Sequence, residues 1–416
     1  MLKTLRQKPE YFLFVALALA GISGYLVTFF VFRFVGPSVY TVFAVFWATL
    51  YLIVGSLSGI QQEFTRATTS TKLAVESSET VAARSGSKIF SQFAFVSCIS
   101  VFLLTVAVWS LFGNVLFPQN HQSFQLPLAL GVSFYILVAS VSGLLYGVRA
   151  WKTLSSLIAL DGILRLIFVG LGLLTHATLS ILVWAIVLPF PAALLIMSRP
   201  IYLVIHEKFQ LDVRLRKLYW NIGQTVLAAA SLSVIVSGFP VLLSLAGSNI
   251  SSELLGETIL VITLIRAPII MVVLALQSAL IIRFRFAIEG SGPLLKKYLY
   301  RLGIVTLICS FGALILGETV FSVILGGKFN LEPIELFIMV LSSGMIAAMC
   351  ITGPGLLVAD KHKEYSLGWL VAAITSVVLL LLPIDFFVKL NLALLFGPIT
   401  GLVTHLLSNY PTLNKQ

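Results

Sequence analysis

The sequence predicts an all-α, polytopic membrane protein of about 12 transmembrane helices, arranged as two six-helix lobes around a central cavity. Three observations carry that prediction. Of 416 residues, 59% are hydrophobic and only 10% are charged, with a mean hydropathy of +1.04. A soluble domain carries about 25% charged residues, so this chain has too few to cover a water-facing surface. Apolar segments long enough to cross roughly 30 Å of hydrocarbon recur along the whole chain, and Lys and Arg gather on one side of them.

In order, the spans fall near 11–32, 38–60, 89–113, 127–148, 153–174, 178–198, 221–246, 257–282, 299–318, 334–358, 366–384 and 388–409. With the N-terminus inside, 22 of the 27 basic residues lie on the cytoplasmic face. Arg33, Lys328 and Lys389 fall outside, and Arg165 and Arg266 lie within spans. Translocating a basic loop is unfavourable, so this bias orients the chain. Both termini are expected in the cytoplasm, in a multi-pass protein of the cell (plasma) membrane. The net charge of +11 is then topological and calls for no nucleic-acid partner.

The first span follows Lys3, Arg6 and Lys8, and Ala18-Leu19-Ala20 has the form of a signal-peptidase site. Its apolar run continues through Phe32, which suits a retained helix better. After the second span, residues 61–88 are mixed in charge and rich in Ser and Thr, as in a cytoplasmic loop with a helical end; Glu63 and Arg66 there are candidates to close an inner gate. Cys98, Cys309 and Cys350 all fall inside spans without disulfide or zinc spacing, and read as small packing residues.

Residues 199–220, "RPIYLVIHEKFQLDVRLRKLYW", form the longest connection after the sixth span. They divide the chain into an N-terminal lobe (1–198), a cytoplasmic linker (199–220) and a C-terminal lobe (221–416). "SGLLYGVRAWKTLSSL" at 142–157 aligns with "PGLLVADKHKEYSLGW" at 354–369 at an offset of 212, where a duplicated six-helix unit places it. Six is even, so the halves share one membrane orientation, an arrangement suited to alternating access.

The outer connections, near 114–126 and 319–333 at their largest, are too short for a catalytic domain. Glu253, Glu318, Glu332 and Asp385 stand singly near outer span ends, as solvated interfacial charges do. No Walker, paired-glycine or HExxH motif occurs. The chain therefore reads as a transporter, not an enzyme, with no cofactor and no metal site. His121, His176, His206, His362 and His405 lack ligand spacing and are expected near membrane boundaries. Gly143, Gly162 and Gly172 are expected at close helix crossings, and Trp47, Trp109 and Trp184 in interfacial belts or facing lipid.

Charges inside spans are the chemically informative residues. Asp161 and Arg165 stand four apart in "SLIALDGILRLIFVGLGLL", on one face of the fifth span. A charged residue at mid-span costs about 2.5–3.5 kcal/mol even on translocon scales, so the two are either a self-neutralised packing pair or a cavity guanidinium held by its carboxylate. In the eighth span Arg266 lies near the midplane with Pro268 just beyond it, and Thr263 and Gln277 share its face. Proline loosens a helix, and loosened spans line cavities. No acid in that span pairs with Arg266, and Arg33 closes the first span at the outer face. Three arginines against one intramembrane acid point to an anionic cargo, because a guanidinium stays charged and grips phosphate oxygens in a fork.

"RFVGPSVYTVFAVFWATLYLIVGSLSGIQQEFTRA" resembles the first two spans of polysaccharide-biosynthesis flippases (Wzx-like) of the MOP, or MATE-like, superfamily, in which a Gly-Pro turn and a Tyr precede a long second helix. "LDGILRL" and "LIRAPIIMVVLALQSALI" also resemble segments of bacterial, particularly actinobacterial-type, members. The resemblance implies transfer of polyprenyl-(di)phosphate-linked oligosaccharide or polysaccharide precursors from the inner to the outer leaflet during cell-envelope assembly. Its partners would be the lipid-linked glycan, membrane lipids, and an ion gradient or other envelope-assembly proteins. Arg266, Arg165, Asp161, Gln277 and Arg33 would line the substrate cavity. Members with fourteen spans flip the peptidoglycan precursor, and the missing pair here weighs against that substrate. The rival readings are a MATE-like multidrug or organic-cation antiporter, which needs unpaired intramembrane carboxylates, and a membrane sugar polymerase or ligase.

Overall fold

A computed structural model describes residues 10–75, 83–175, 178–208, 215–247, 249–285, 291–325, 330–359 and 361–413. Within these helices the side chains of 10, 69–75, 83–88, 206–208, 224, 228, 231, 267–279, 281–283, 285, 291, 357, 362 and 409–413 lie outside the description. The described residues form fifteen α-helices and no strand. In chain order they are α1 (Glu10–Val35), α2 (Pro37–Val75), α3 (Ala83–Leu116), α4 (His121–Gly147), α5 (Trp151–Leu174), α6 (Leu179–Val187), α7 (Pro189–Ile196) and α8 (Ser198–Lys208). There follow α9 (Leu215–Val236), α10 (Phe239–Ala246), α11 (Ser252–Arg285), α12 (Ser291–Leu325), α13 (Pro333–Val358), α14 (His362–Leu380) and α15 (Phe386–Leu413).

Eleven helical stretches among the described residues are long and apolar enough to cross a membrane. The 34-residue α11 covers the expected eighth span as well. The chain is an all-α, multi-pass membrane protein. A helix satisfies its own backbone hydrogen bonds in hydrocarbon, which is why the apolar segments adopt it.

Local chemistry sets the breaks. Gly36, with φ 80°, ends α1 in the left-handed region that a side chain disfavours, and Pro37 opens α2 where its missing N–H costs nothing. The expected sixth span is broken between α6 and α7, where Pro189 opens the second piece. The seventh, expected as one helix over 221–246, is broken between α9 and α10 at Ser237-Gly238, with Pro240 in the first turn beyond. Residues 61–88, expected as a loop, are largely helical: α2 runs on to Val75 and α3 begins at Ala83. The expected linker 199–220 also carries helix, in α8 and the start of α9.

The chain forms two compact units, Met1–Ser233 and Val234–Gln416. The seventh span thus lies with the first unit over most of α9. In the first unit α4 is the central helix, packed on α2 and α3, while α5 packs on α1, α6 and α7. In the second, α13 is central, packed on α11, α12 and α15, and α14 packs on α15. The apolar windows of α4 and α13 are each 72% buried, against 11% for α3 and 22% for α12, so α3 and α12 leave many of their leucines and phenylalanines exposed. The turns after the two central helices close alike. Ala150 N–H donates to Leu145 O at 2.8 Å, and Lys361 N–H to Leu356 O at 2.9 Å. These bonds, the helix ends at Gly147 and Val358, and the starts at Trp151 and His362 all repeat at 211, one less than the offset of the sequence match.

Glycines at helix crossings behave as expected: a Cβ on Gly162 would meet Ala20 Cα at 2.8 Å, and one on Gly143 would meet Phe64 Cβ at 2.7 Å. Trp109 is not a belt residue. It is buried against Phe117, its Nε1 donating to His121 O at 2.6 Å. His405 is fully buried inside the second unit, bonded to Thr352 and to Tyr365 O, although its position near the end of a span had suggested the membrane boundary.

Candidate functional site

The two buried arginines occupy separate settings, one in each unit, while Glu63, Glu257 and Glu335 are buried near the ends of their helical spans. In the first, α5 places Asp161 and Arg165 one turn apart, and Arg165 Nη2 donates to Asp161 Oδ2 at 2.6 Å. The side chains are 6% and 20% exposed, Arg165 being the more enclosed. Three rings surround the guanidinium: Trp47 at 5.8 Å and Tyr51 at 5.4 Å from α2, and Phe190 at 5.4 Å from α7. Trp47 and Tyr51, themselves one turn apart, stack at 5.0 Å and present one aromatic wall. Tyr135 of α4 backs Phe190 at 5.5 Å. Aromatic faces carry partial negative charge, so the cage adds to the attraction of Asp161 where water is excluded. The break before Pro189 opens the short helix that carries Phe190.

Satisfaction of this cluster is incomplete. Asp161 Oδ1, Arg165 Nε and Tyr51 Oη are buried with no hydrogen-bond partner. A buried polar atom left unpaired costs about 1–3 kcal/mol, so these three mark where water or a polar ligand gains most by entering.

In the second unit, Arg266 of α11 is 5% exposed and makes no ion pair among the described residues. It reaches the break between α9 and α10 instead. Its guanidinium lies 4.3 Å from the centroid of the Phe239 ring, and Nη1 makes a long contact of 3.5 Å with Ile235 O. The last carbonyls of a helix lack intrahelical donors and form the negative end of its dipole, so a cation there is favoured. Nε of Arg266 remains buried and unpartnered. Helix α11 runs unbroken through Pro268; the broken span is the neighbouring one, α9–α10. Thr263 Oγ1 donates to Ile259 O within its own helix at 2.7 Å. The side chain of Gln277 lies outside the described residues.

Glu63 and Arg66, expected at an inner gate, form a two-pronged pair: Nε to Oε2 at 2.8 Å and Nη2 to Oε1 at 2.6 Å. Glu63 is 3% exposed, Arg66 half-exposed. Asn221 Nδ2 of α9 also donates to Glu63 Oε1 at 2.8 Å. Two further rungs continue this contact along α2 and α9: Thr225 Oγ1 to Gly59 O at 2.9 Å, and Ser233 Oγ to Leu52 O at 3.0 Å. A Cβ on Gly55 or Gly59 would collide with α9, so the two backbones meet closely only because glycine stands there. Arg33 lies exposed in the last turn of α1, well apart in sequence from either buried arginine.

Sequence reasoning paired Asp161 with Arg165 and named Glu63 and Arg66 for a gate, without pairing those two with each other. It missed the partners from other helices: Trp47, Tyr51, Phe190, Phe239 and Asn221. The i,i+4 repeat of Trp47 and Tyr51 was the one available signal, since it puts two amphipathic rings on one face.

No family model matches this chain. An uncharacterized protein of Mycobacterium tuberculosis is 26% identical over 396 residues, covering 94% of this chain and 90% of its own. Among solved structures, an inward-facing multidrug resistance MATE family transporter of the MOP superfamily superposes with a TM-score of 0.72 at 11% identity, covering 97% and 96% of the two chains. The lipid II flippase MurJ in an inward closed conformation gives 0.72 at 11%, covering 95% and 87%. These likenesses show that the chain has the fold of MOP superfamily transporters.

Proposed function

We propose that this protein is a flippase that moves polyprenyl-(di)phosphate-linked oligosaccharide or polysaccharide precursors from the inner to the outer leaflet by alternating access. The observation that carries the reading is the sign of the buried charge. Away from the span ends, where Glu63, Glu257 and Glu335 are buried, the described residues hold two buried guanidiniums and the carboxylate of Asp161, which is already bonded to Arg165. Arg266 is left as a buried cation facing a ring and a helix end. A sugar diphosphate brings two or more negative charges into hydrocarbon, and a guanidinium with a free Nε edge is suited to them. Arg165, enclosed by aromatic rings and moderated by Asp161, would position cargo more weakly. Gln277 and Arg33 complete the proposed cavity set, and the Glu63–Arg66–Asn221 contact would serve as the inner gate. The fold, shared with a lipid II flippase, supports the transport class.

A second reading, export of organic cations, draws on the buried, unpartnered Oδ1 of Asp161 and on the equal likeness to a multidrug transporter. One experiment separates them. In cells depleted of the protein, lipid-linked sugar should accumulate in the inner leaflet, and wild type but not Arg266→Ala should clear it. Unchanged leaflet distribution together with loss of drug resistance would replace the flippase with the exporter. The proposed orientation is tested separately: cysteines placed in 199–208 and 283–285 should resist impermeant thiol reagents in intact cells.

A further inference from the structure

Two grooves lie on the seam between α1 and α5. The first, holding about 410 Å³, lies toward the N-terminal ends of both helices, which the proposed orientation puts on the cytoplasmic side, between Tyr11, Val15 and Leu19 on one side and Ser155, Ser156 and Ala159 on the other. The second, holding about 250 Å³, lies toward their C-terminal ends, the outer side in the proposed orientation, between Val27, Phe30 and Phe34 and Val169, Gly170 and Leu174. Both helices run in the same direction, so the grooves follow one another in depth along a single seam. The pinch between them is the Gly162–Ala20 crossing.

The linings differ as the two ends of a lipid do. The outer groove is lined by apolar residues alone, and its floor at Gly170 is open, since a Cβ there would meet nothing within 4 Å. The inner groove adds the hydroxyls of Ser155, Ser156 and Tyr11, with exposed Lys152 one turn further toward the cytoplasm on the Ser156 side of α5. A basic and hydroxylated mouth opening onto an apolar trough complements a phosphate attached to a hydrocarbon chain. The pinch adjoins Asp161, so the seam passes the level of the buried ion pair on a different face of the same helix.

We infer that the α1–α5 seam is the track for the prenyl chain of the lipid-linked cargo, its phosphate entering at Ser156 and Lys152. This deepens the flippase reading and rests on it. The test uses the full chain in phosphatidylglycerol nanodiscs with a photoactivatable long-chain prenyl phosphate, the labelled peptides being mapped by mass spectrometry. Labelling should fall on α1 and α5, and unlabelled prenyl phosphate should displace it where excess phosphatidylglycerol does not. Gly170→Trp and Ala159→Trp, whose rings occupy the outer and inner troughs, should each abolish the displaceable labelling of the seam, because the prenyl chain is sterically shut out. Leu111→Trp, on an exposed face of α3, should leave it unchanged. Equal displacement by phosphatidylglycerol, or labelling spread over other helices, would overturn the track, and neither result depends on the variants folding. Confined labelling in a protein that flips no lipid-linked sugar would keep the binding track and remove the flippase. Flipping with no labelling of the seam would do the reverse.

Discussion

The two buried arginines are held by opposite strategies. Arg165 is neutralised from its own helix, by Asp161 at 2.6 Å, and then enclosed by rings from two other helices. Arg266 has no carboxylate among the described residues; its setting is made by another span that breaks and offers a carbonyl and the Phe239 ring. A pair with an internal counter-ion keeps its charge balance however the surrounding helices move. A cation held by a helix break is bound only while the break keeps its shape. The first arrangement suits a fixed structural element, and the second suits a site whose charge becomes available when helices shift.

The sharpest way to break this comparison is to remove one partner of the internal pair. Arg165→Ala leaves Asp161 charged and unpaired in a low-dielectric cage, and should cost about 3–5 kcal/mol, read as loss of folded protein in size-exclusion and thermal-unfolding assays. Asp161→Asn with Arg165→Gln should restore abundance. Full transport by that double variant would make the pair structural; normal abundance without transport would place Arg165 in the path of cargo.

Arg266→Ala should cost less in stability, about 1–3 kcal/mol for a charged hydrogen bond that is already long, yet abolish flipping. Arg266→Lys should rescue transport only in part, because an ammonium lacks the planar fork. Equal activity for Lys and Arg would argue that Arg266 supplies charge alone. Phe239→Leu stays apolar but removes the ring face and some volume, and should lower stability by about 1–2 kcal/mol while leaving the Arg165 setting untouched. The smallest effect is expected at Tyr51→Phe. Its hydroxyl is buried without a partner, so removal should change stability by no more than about 1 kcal/mol, in either direction. A transport defect in that otherwise stable variant would show that the orphan hydroxyl meets a ligand or water during the cycle.

Much of the fold was legible because the bilayer imposes one rule on every span: a segment of about twenty apolar residues must be helical to satisfy its backbone. The Asp161–Arg165 pair was legible for a similar reason, since a spacing of four places side chains together on any helix, whereas the Glu63–Arg66 pair was hidden because its segment reads as a loop. The interruptions were less so. Pro189 and Pro240 stand plainly in the sequence, as do Pro127, Pro268 and Pro354, which the helices accommodate without ending. Proline removes one donor and adds one clash, and packing around it decides whether the helix continues or restarts.

By itself, then, the sequence determined what partitioning and local geometry control: the helical class, the segments that enter hydrocarbon, and the Asp161–Arg165 ion pair. Only the tertiary structure decided that Trp47, Tyr51 and Phe190 close around Arg165, that α9 ends where Arg266 can reach it, and that α9 meets α2 across Gly55 and Gly59. Those contacts join residues tens to more than a hundred positions apart. Their selection depends on shape fit between whole helices, and in lipid, where every apolar face is equally content, close packing and a few polar contacts make that choice.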